Sequence, residues 1–349
     1  MSELKTMVEE SVTRLFEEQV DREYLTQVED TGFPKDLWET IIELGIDRVL
    51  VSEERGGMNG TWQDAYPIIR ASGLYSVPLP IPEIIISHWL MSKADLTLRD
   101  GIPGIIPVLL NGDSDSLTAE ITQVPWGRNA DYFVGLDNRG SGVEVVVIDK
   151  ENATITPDQN LARDPRDTVS FNKAQVIARG DCDLNDNALR CAMALMRSAQ
   201  IAGAGSACLK LGLEYTSERE QFGRPLARFQ AIQHHLANMA SELATVEAMS
   251  ASAFDALEKY GLNRDNASNA VFDIAAAKCR ASDAVEPLSK IGHQVHGAIG
   301  FTYEYGLHFL TRRLWSWRAE FGGSSEWATH LGTVAVEAGG DEIWSVITR

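Results

Sequence analysis

Residues 219–230, R-E-Q-F-G-R-P-L-A-R-F-Q, constrain this chain most, because they join two long helical patterns through a sharp corner. Upstream, residues 189–218 are rich in Ala, Leu and Met with small residues interleaved. Downstream, Ile232, Leu236, Met239, Leu243, Val246 and Met249 recur at spacings of three and four, the period of an amphipathic helix. Gly223 and Pro225 end the first pattern and let the second begin, so the two helices are expected to pack as an antiparallel pair. Arg219, Arg224 and Arg228 crowd this corner beside Phe222 and Phe229. Guanidinium forks meet phosphate oxygens two at a time, so the corner suits a phosphate-bearing ligand. A charged corner that merely stays solvated is the competing reading.

With 349 residues the chain can build two or three packed units. Its net charge of −19 argues against nucleic acid and anionic membrane surfaces as partners. An acidic chain that binds an anionic cofactor must gather its cations locally, as the arginine corner does. Cys182, Cys191, Cys208 and Cys279 have no CxxC or metal-ligand spacing and read as reduced, structural thiols, with no metal site. The amino-terminal M-S-E-L-K-T-M-V-E-E reads as an acidic amphipathic helix, not a signal peptide. No apolar run approaches the roughly 18 residues that span a bilayer. The expected compartment is the cytoplasm.

Three domains are expected. Residues 1–100 form a helical domain with an apolar stripe through Val12, Leu15, Phe16, Leu37, Trp38, Ile41, Ile42 and Leu44. Within it, His88 sits on an apolar face beside Trp89 and reads as a packed core histidine before a catalytic one. Residues 101–182 change to short apolar or alternating segments bounded by Gly, Asn and Asp, a small β domain whose last strand is expected over 167–171. Residues 183–349 return to helix, at about 186–218, 229–260, 266–290, 307–318 and 325–337, with connections short enough for an up-and-down four-helix bundle. The fold class is therefore α+β, mostly α.

Three motifs carry a family resemblance. R-E-Q-F-G-x-P-L-x-x-F-Q over 219–230 resembles the hallmark of acyl-CoA dehydrogenases, FAD enzymes that desaturate acyl-CoA thioesters between Cα and Cβ. Q-V-H-G-A-I-G-F over 294–301 resembles their Q-x-x-G-G-x-G-Y/F turn, with Ala298 in place of the second glycine. Phe33-Pro34, Leu37-Trp38, Leu44-Gly45-Ile46 and E-E-x-G-G over 53–57 resemble their amino-terminal domain. The motifs stand in family order over nearly the whole chain.

The resemblance also exposes gaps. The family's T-E-P-x-x-G-S-D loop and its K-x-W/Y-I-T-N-G strand, which bed the flavin ring, are missing; N-G-D-S-D-S over 111–116 stands there instead. Either the loop has diverged beyond recognition, or this β domain no longer cradles an isoalloxazine. The catalytic carboxylate that precedes the family's last-helix G-T-S/T would align with Gly322, and the alternative base position falls on Met193 and Ala194. Glu320 is the nearest substitute, two residues early, and also reads as a solvated glutamate at a helix end. Glu326 reads as a carboxylate complementing a helix dipole, in a place where the family often touches flavin; the resemblance makes it and Ser324, two residues before it, cofactor-binding candidates.

The nucleotide-binding side is better kept. The resemblance implies that Arg219 and Gln221 contact the FAD pyrophosphate, that Phe222, Phe229 and Gln230 line the adenosine end, and that Gln294, His296 and Gly297 approach the phosphates, with the FAD shared across a subunit interface. A buried, satisfied histidine is the other reading of His296. Together these implications resemble the noncatalytic chain of heteromeric α2β2 acyl-CoA dehydrogenases of bacterial steroid breakdown. The implied partners are a second acyl-CoA dehydrogenase-like subunit, an acyl-CoA substrate and an electron-transfer flavoprotein or similar acceptor. A self-sufficient homotetramer using Glu320 as base and a non-redox scaffold remain as alternatives.

Overall fold

The computed structural model describes residues 3–111, 116–138, 142–265 and 267–348. The amino-terminal helices are α1 (Glu3–Gln19), α2 (Arg22–Thr31), α3 (Lys35–Glu43), α4 (Trp62–Leu74) and α5 (Ile81–Lys93). Val12, Leu15, Phe16, Leu37 and Ile41 are buried, as their spacing requires. Leu44 departs from the expected stripe: it caps α3 and is 42% exposed. His88 is buried, its Nδ1 3.1 Å from the Asp47 carbonyl and 3.2 Å from Asp47 Oδ2.

Six strands follow: β1 (Pro103–Leu110), β2 (Ser116–Pro125), β3 (Tyr132–Asn138), β4 (Val143–Asp149), β5 (Ala153–Thr156) and β6 (Arg166–Cys182). They form one sheet in the order β1-β3-β4-β6-β2, with β5 also on β6. Only β1 and β3 pair in parallel. β6 runs past the 167–171 expected from the residue pattern, through the 168–176 stretch that also resembles the family's strand leading out of this domain, and on to Cys182. Its first half pairs β2 and β5 and its second half pairs β4, so one strand serves both halves of the sheet. The polar Asn172-Lys173 step is an irregularity inside the strand, with Lys173 at φ +53°.

The last part is helical: α6 (Ala188–Glu218), a minimal hairpin β7 (Glu220–Gln221) and β8 (Arg224–Pro225), α7 (Gln230–Tyr260), α8 (Ala267–His296), α9 (Leu307–Ala319), α10 (Ser324–Ala338) and α11 (Ile343–Ile347). α6 to α9 bury Ile201, Leu243, Val246, Val285, Leu288 and Leu314 among themselves, the core of an antiparallel bundle. α4 lies against α6 at backbone contact. A Cβ on Gly203 would fall 2.0 Å from the Arg70 carbonyl oxygen, and one on Gly73 would fall 2.1 Å from that of Gln200. The architecture is thus helices, a small β domain and a helical bundle. No helix among the described residues is long and apolar enough to cross a membrane, and those residues hold no cluster suited to a metal ion.

Candidate functional site

The corner between α6 and α7 is a two-residue β-hairpin. Phe222 and Gly223 both take positive φ, +54° and +78°, the conformation that matches the twist of paired strands. The Leu226 amide donates to the Arg219 carbonyl at 2.9 Å and closes the hairpin base. Phe222 stands at the tip, 93% exposed, with its ring edge-on to Phe229 at 6.3 Å. The Arg224 guanidinium lies 4.1 Å above the Phe229 ring. Arg219, Arg224 and Arg228 are exposed, and among the described residues none makes an ion pair. Gln221 is exposed with its Nε2 donating to the Glu220 carbonyl at 2.7 Å, and Gln230 opens α7, also exposed.

The glycine turn lies at the same end of the bundle. Tyr215, in the last turn of α6, stacks on His296, in the last turn of α8, with centroids 4.9 Å apart. His296 is buried. Its Nδ1 meets the Gly292 carbonyl at 2.7 Å and its Nε2 the Tyr305 hydroxyl at 3.0 Å, so both ring nitrogens are engaged within the chain. Burial pushes its pKa below the usual histidine value. Gln294 is exposed, and Gly297, at φ +64°, has nothing within 4 Å of where a Cβ would lie. A phosphate can therefore come close to this backbone. Phe301 is 72% exposed, its ring stacked on His293 with centroids 4.3 Å apart.

A separate cleft of about 1010 Å3 lies between the β domain and the bundle. Pro107, Val108 and Leu161 line it from the β side; Arg190, Trp315 and Glu320 line it from the helices. Trp315 also borders a smaller hollow beside Gln294 and Gly297, so one side chain divides the two places. Residues 112–115, within the segment that replaces the family's flavin loop, lie outside the described residues.

Glu320 lines this cleft, but not as a solvated helix end. Arg166 donates to it with both sides of its fork, Nε to Oε1 at 2.9 Å and Nη2 to Oε2 at 3.0 Å. Arg197 Nε reaches Oε2 at 2.7 Å and Asn160 Nδ2 reaches Oε1 at 3.1 Å. Burial alone would raise its pKa, but Arg166 and Arg197 outweigh burial and hold it at about 2. The solvated reading fails because these cations come from β6 and α6, far away in sequence. Behind Glu320, Arg197 also pairs with Glu83 of α5. Lys278, fully buried on α8, donates to the Trp317 and Arg318 carbonyls at 3.0 and 2.9 Å and so satisfies the end of α9.

Gly322 has φ +101°, open to glycine and strained for a glutamate. A Cβ built there would lie 2.7 Å from Arg190 Nη2, 2.7 Å from Trp327 Nε1 and 3.0 Å from Glu326 Oε2. Ser324 opens α10. Glu326, in its first turn, accepts the Gly323 amide at 3.3 Å and pairs with Arg190 at 3.3 Å. Arg166, Arg190, Arg197 and Lys278 carry no spacing signal that marks them in the sequence; their meeting depends on the fold.

The residues fit the nucleotide end of FAD: unpaired guanidiniums, exposed rings and an open glycine backbone share one end of the bundle. The models for "Acyl-CoA dehydrogenase, N-terminal domain" and "Acyl-CoA dehydrogenase, C-terminal domain" match residues 2–91 and 191–335. The acyl-CoA dehydrogenase IpdE2 of Mycolicibacterium smegmatis is 26% identical over 319 residues, covering 90% of this chain and 93% of that protein. In fold, the chain is similar to one in the ChsE4-ChsE5 complex from Mycobacterium tuberculosis, with TM-score 0.87 and 20% identity over 97% of this chain and 99% of that one. It is also similar to one in the Tcur3481-Tcur3483 steroid ACAD G363A variant, with TM-score 0.84 and 19% identity over 96% and 98%. The chain belongs to the acyl-CoA dehydrogenase family.

Proposed function

We propose that this protein is the noncatalytic subunit of a heteromeric, FAD-dependent acyl-CoA dehydrogenase. One observation carries the reading. Where a base at position 322 would project, the guanidinium of Arg190 already stands, and the backbone is in a conformation suited to glycine. A carboxylate that takes an α-proton needs a pKa near working pH. Asp158, Glu320 and Glu326 line the cleft; Glu320 is held at about 2 by two guanidiniums, which makes it a poor base, and Glu326 is engaged by Arg190 and the Gly323 amide. The partner chain would therefore supply the base that removes the α-proton from Cα.

FAD, when bound, supplies the acceptor for the hydride that leaves Cβ. This chain's part is to hold the cofactor. Arg219 neutralises pyrophosphate charge, with Gln221 beside it; Phe222, Phe229 and Gln230 line the adenosine end; Gln294 and Gly297 bring an amide side chain and open backbone to the phosphates. His296 supports the turn from within, and Ser324 and Glu326 serve the cleft end. The exposed Phe222 tip suits a site completed across an α2β2 interface. The substrate would be a bulky, steroid-derived acyl-CoA, in line with the steroid ACAD among the fold neighbours, and the acceptor an electron-transfer flavoprotein or similar protein, in the cytoplasm.

The decisive experiment purifies the chain alone and together with a relative carrying T-E-P-x-x-G-S-D and an intact glutamate. The expected result is a colourless, inactive chain alone and a yellow, acyl-CoA-bleached complex. A yellow single chain bleached by an acyl-CoA would reject the proposal in favour of a self-sufficient homotetramer. A pair that never takes up FAD would favour a non-redox scaffold.

A further inference from the structure

The segment 158–166 runs from the β domain onto one face of α9. Asn160 Nδ2 donates to Glu320 (3.1 Å), the Ala162 amide to Ser316 Oγ (3.2 Å), and Arg313 Nη2 to Asp164 Oδ1 (2.9 Å). Arg313, Ser316 and Glu320 are three and four residues apart, so they form one stripe along and just past that helix. The strap is also closed on itself. Asn160 Oδ1 accepts the amides of Ala162 (2.9 Å) and Asp164 (3.1 Å), and Arg163 takes φ +66°. Leu161 stands on the crest, 67% exposed, as part of the cleft wall.

Glu320 is where this strap meets the other two domains. Arg166, at the strap's end, and Arg197, on α6, share its carboxylate, and Arg197 continues to Glu83 on α5. Arg197 Nη1 also donates to Gln200 (2.7 Å), whose Nε2 donates to Ser72 of α4 (3.1 Å). Arg166, Glu320, Arg197 and Glu83 are thus an alternating row of charges across the whole molecule. Arg166 and Arg197 are 3% and 1% exposed. Without the carboxylate between them, two desolvated cations would face each other, and the strap is the lightest element able to move.

We propose that Glu320 is a positioning residue that holds the 158–166 strap against α9 and thereby sets the wall of the cleft. This deepens the proposed function and rests on it, since it gives the carboxylate a task other than proton removal. The side chain of Glu320→Gln keeps its size but turns one acceptor into a donor facing a guanidinium.

Hydrogen exchange on the full chain tests the strap directly. In Glu320→Gln, the amides of Ala162, Arg163 and Asp164 should exchange about tenfold faster or more, while those of β4 stay unchanged. Glu320→Asp, which keeps the charge but draws the carboxylate back by one methylene and leaves the Asn160 acceptor in place, should shift the same amides in the same direction and serves if Glu320→Gln does not fold. Unchanged exchange at these amides in a folded variant overturns the positioning role, whatever turnover shows. Turnover of the FAD-loaded complex tests the base separately. A positioning role predicts that kcat and its pH profile are kept. A loss of about a thousandfold in kcat with the acidic limb of the profile gone would instead make Glu320 the base and overturn the noncatalytic reading.

Discussion

The Arg190 guanidinium lies 2.7 Å from the point where Gly322 would carry a Cβ. A carboxylate at position 322, where we propose that the base is missing, is therefore closed out twice, by a neighbouring cation and by the backbone angle.

Restoring the carboxylate should fail. In Gly322→Glu, the left-handed backbone and the contacts with Arg190 and Trp327 together should destabilise the fold by about 2–5 kcal/mol. Thermal unfolding should show a lower Tm, and the chain alone should still not bleach flavin with an acyl-CoA. Recovered activity at normal Tm would refute this account.

Arg219→Ala should leave the fold intact, because the side chain is exposed and makes no ion pair among the described residues. In the assembled complex it should weaken FAD retention by about 1.5–3 kcal/mol, the value of one charge-assisted contact. Equilibrium dialysis of the flavin measures this, and unchanged retention would remove Arg219 from the phosphate site.

Acid should release the Glu320 ion pairs. Its pKa is depressed, from the usual 4.5 to about 2, so its stabilising contribution is present above pH 4.5 and is lost as pH falls toward 2. The pH-dependent part of the stability gap between wild type and Glu320→Gln should be about 3 kcal/mol. Urea unfolding at pH 7 and at pH 3 reads about 2 kcal/mol of it, because the folded-state group is still largely ionised at pH 3. A gap that does not shrink at pH 3 would show that the carboxylate is not held down by its arginines.

Gly203→Ala tests the contact between the amino-terminal helices and the bundle. The added methyl would fall 2.0 Å from the Arg70 carbonyl, backbone that cannot rotate away, so α4 and α6 must part. A loss of about 1–3 kcal/mol in chemical denaturation is expected, with FAD retention in the complex little changed.

The sequence carried the helices well, because each buries one face and repeats its apolar residues at three and four. Ile232, Leu236, Met239, Leu243 and Val246 predict α7 for that reason. The arginine corner was legible because its parts are adjacent in the chain. The full length of β6 is hidden because its alternation breaks at the irregularity around Asn172-Lys173. The fate of Glu320 was hidden more deeply: its partners Arg166 and Arg197 lie 154 and 123 residues away, and only the closed fold brings them together. No local pattern encodes a pair of that separation.

The hairpin tip has a consequence for synthesis. With Phe222 93% and Phe301 72% exposed, a copy made in excess of the proposed partner would offer both rings to chaperones and to its own kind. In the proposed heteromer, translating both chains from one message, in matched numbers, would keep those rings covered.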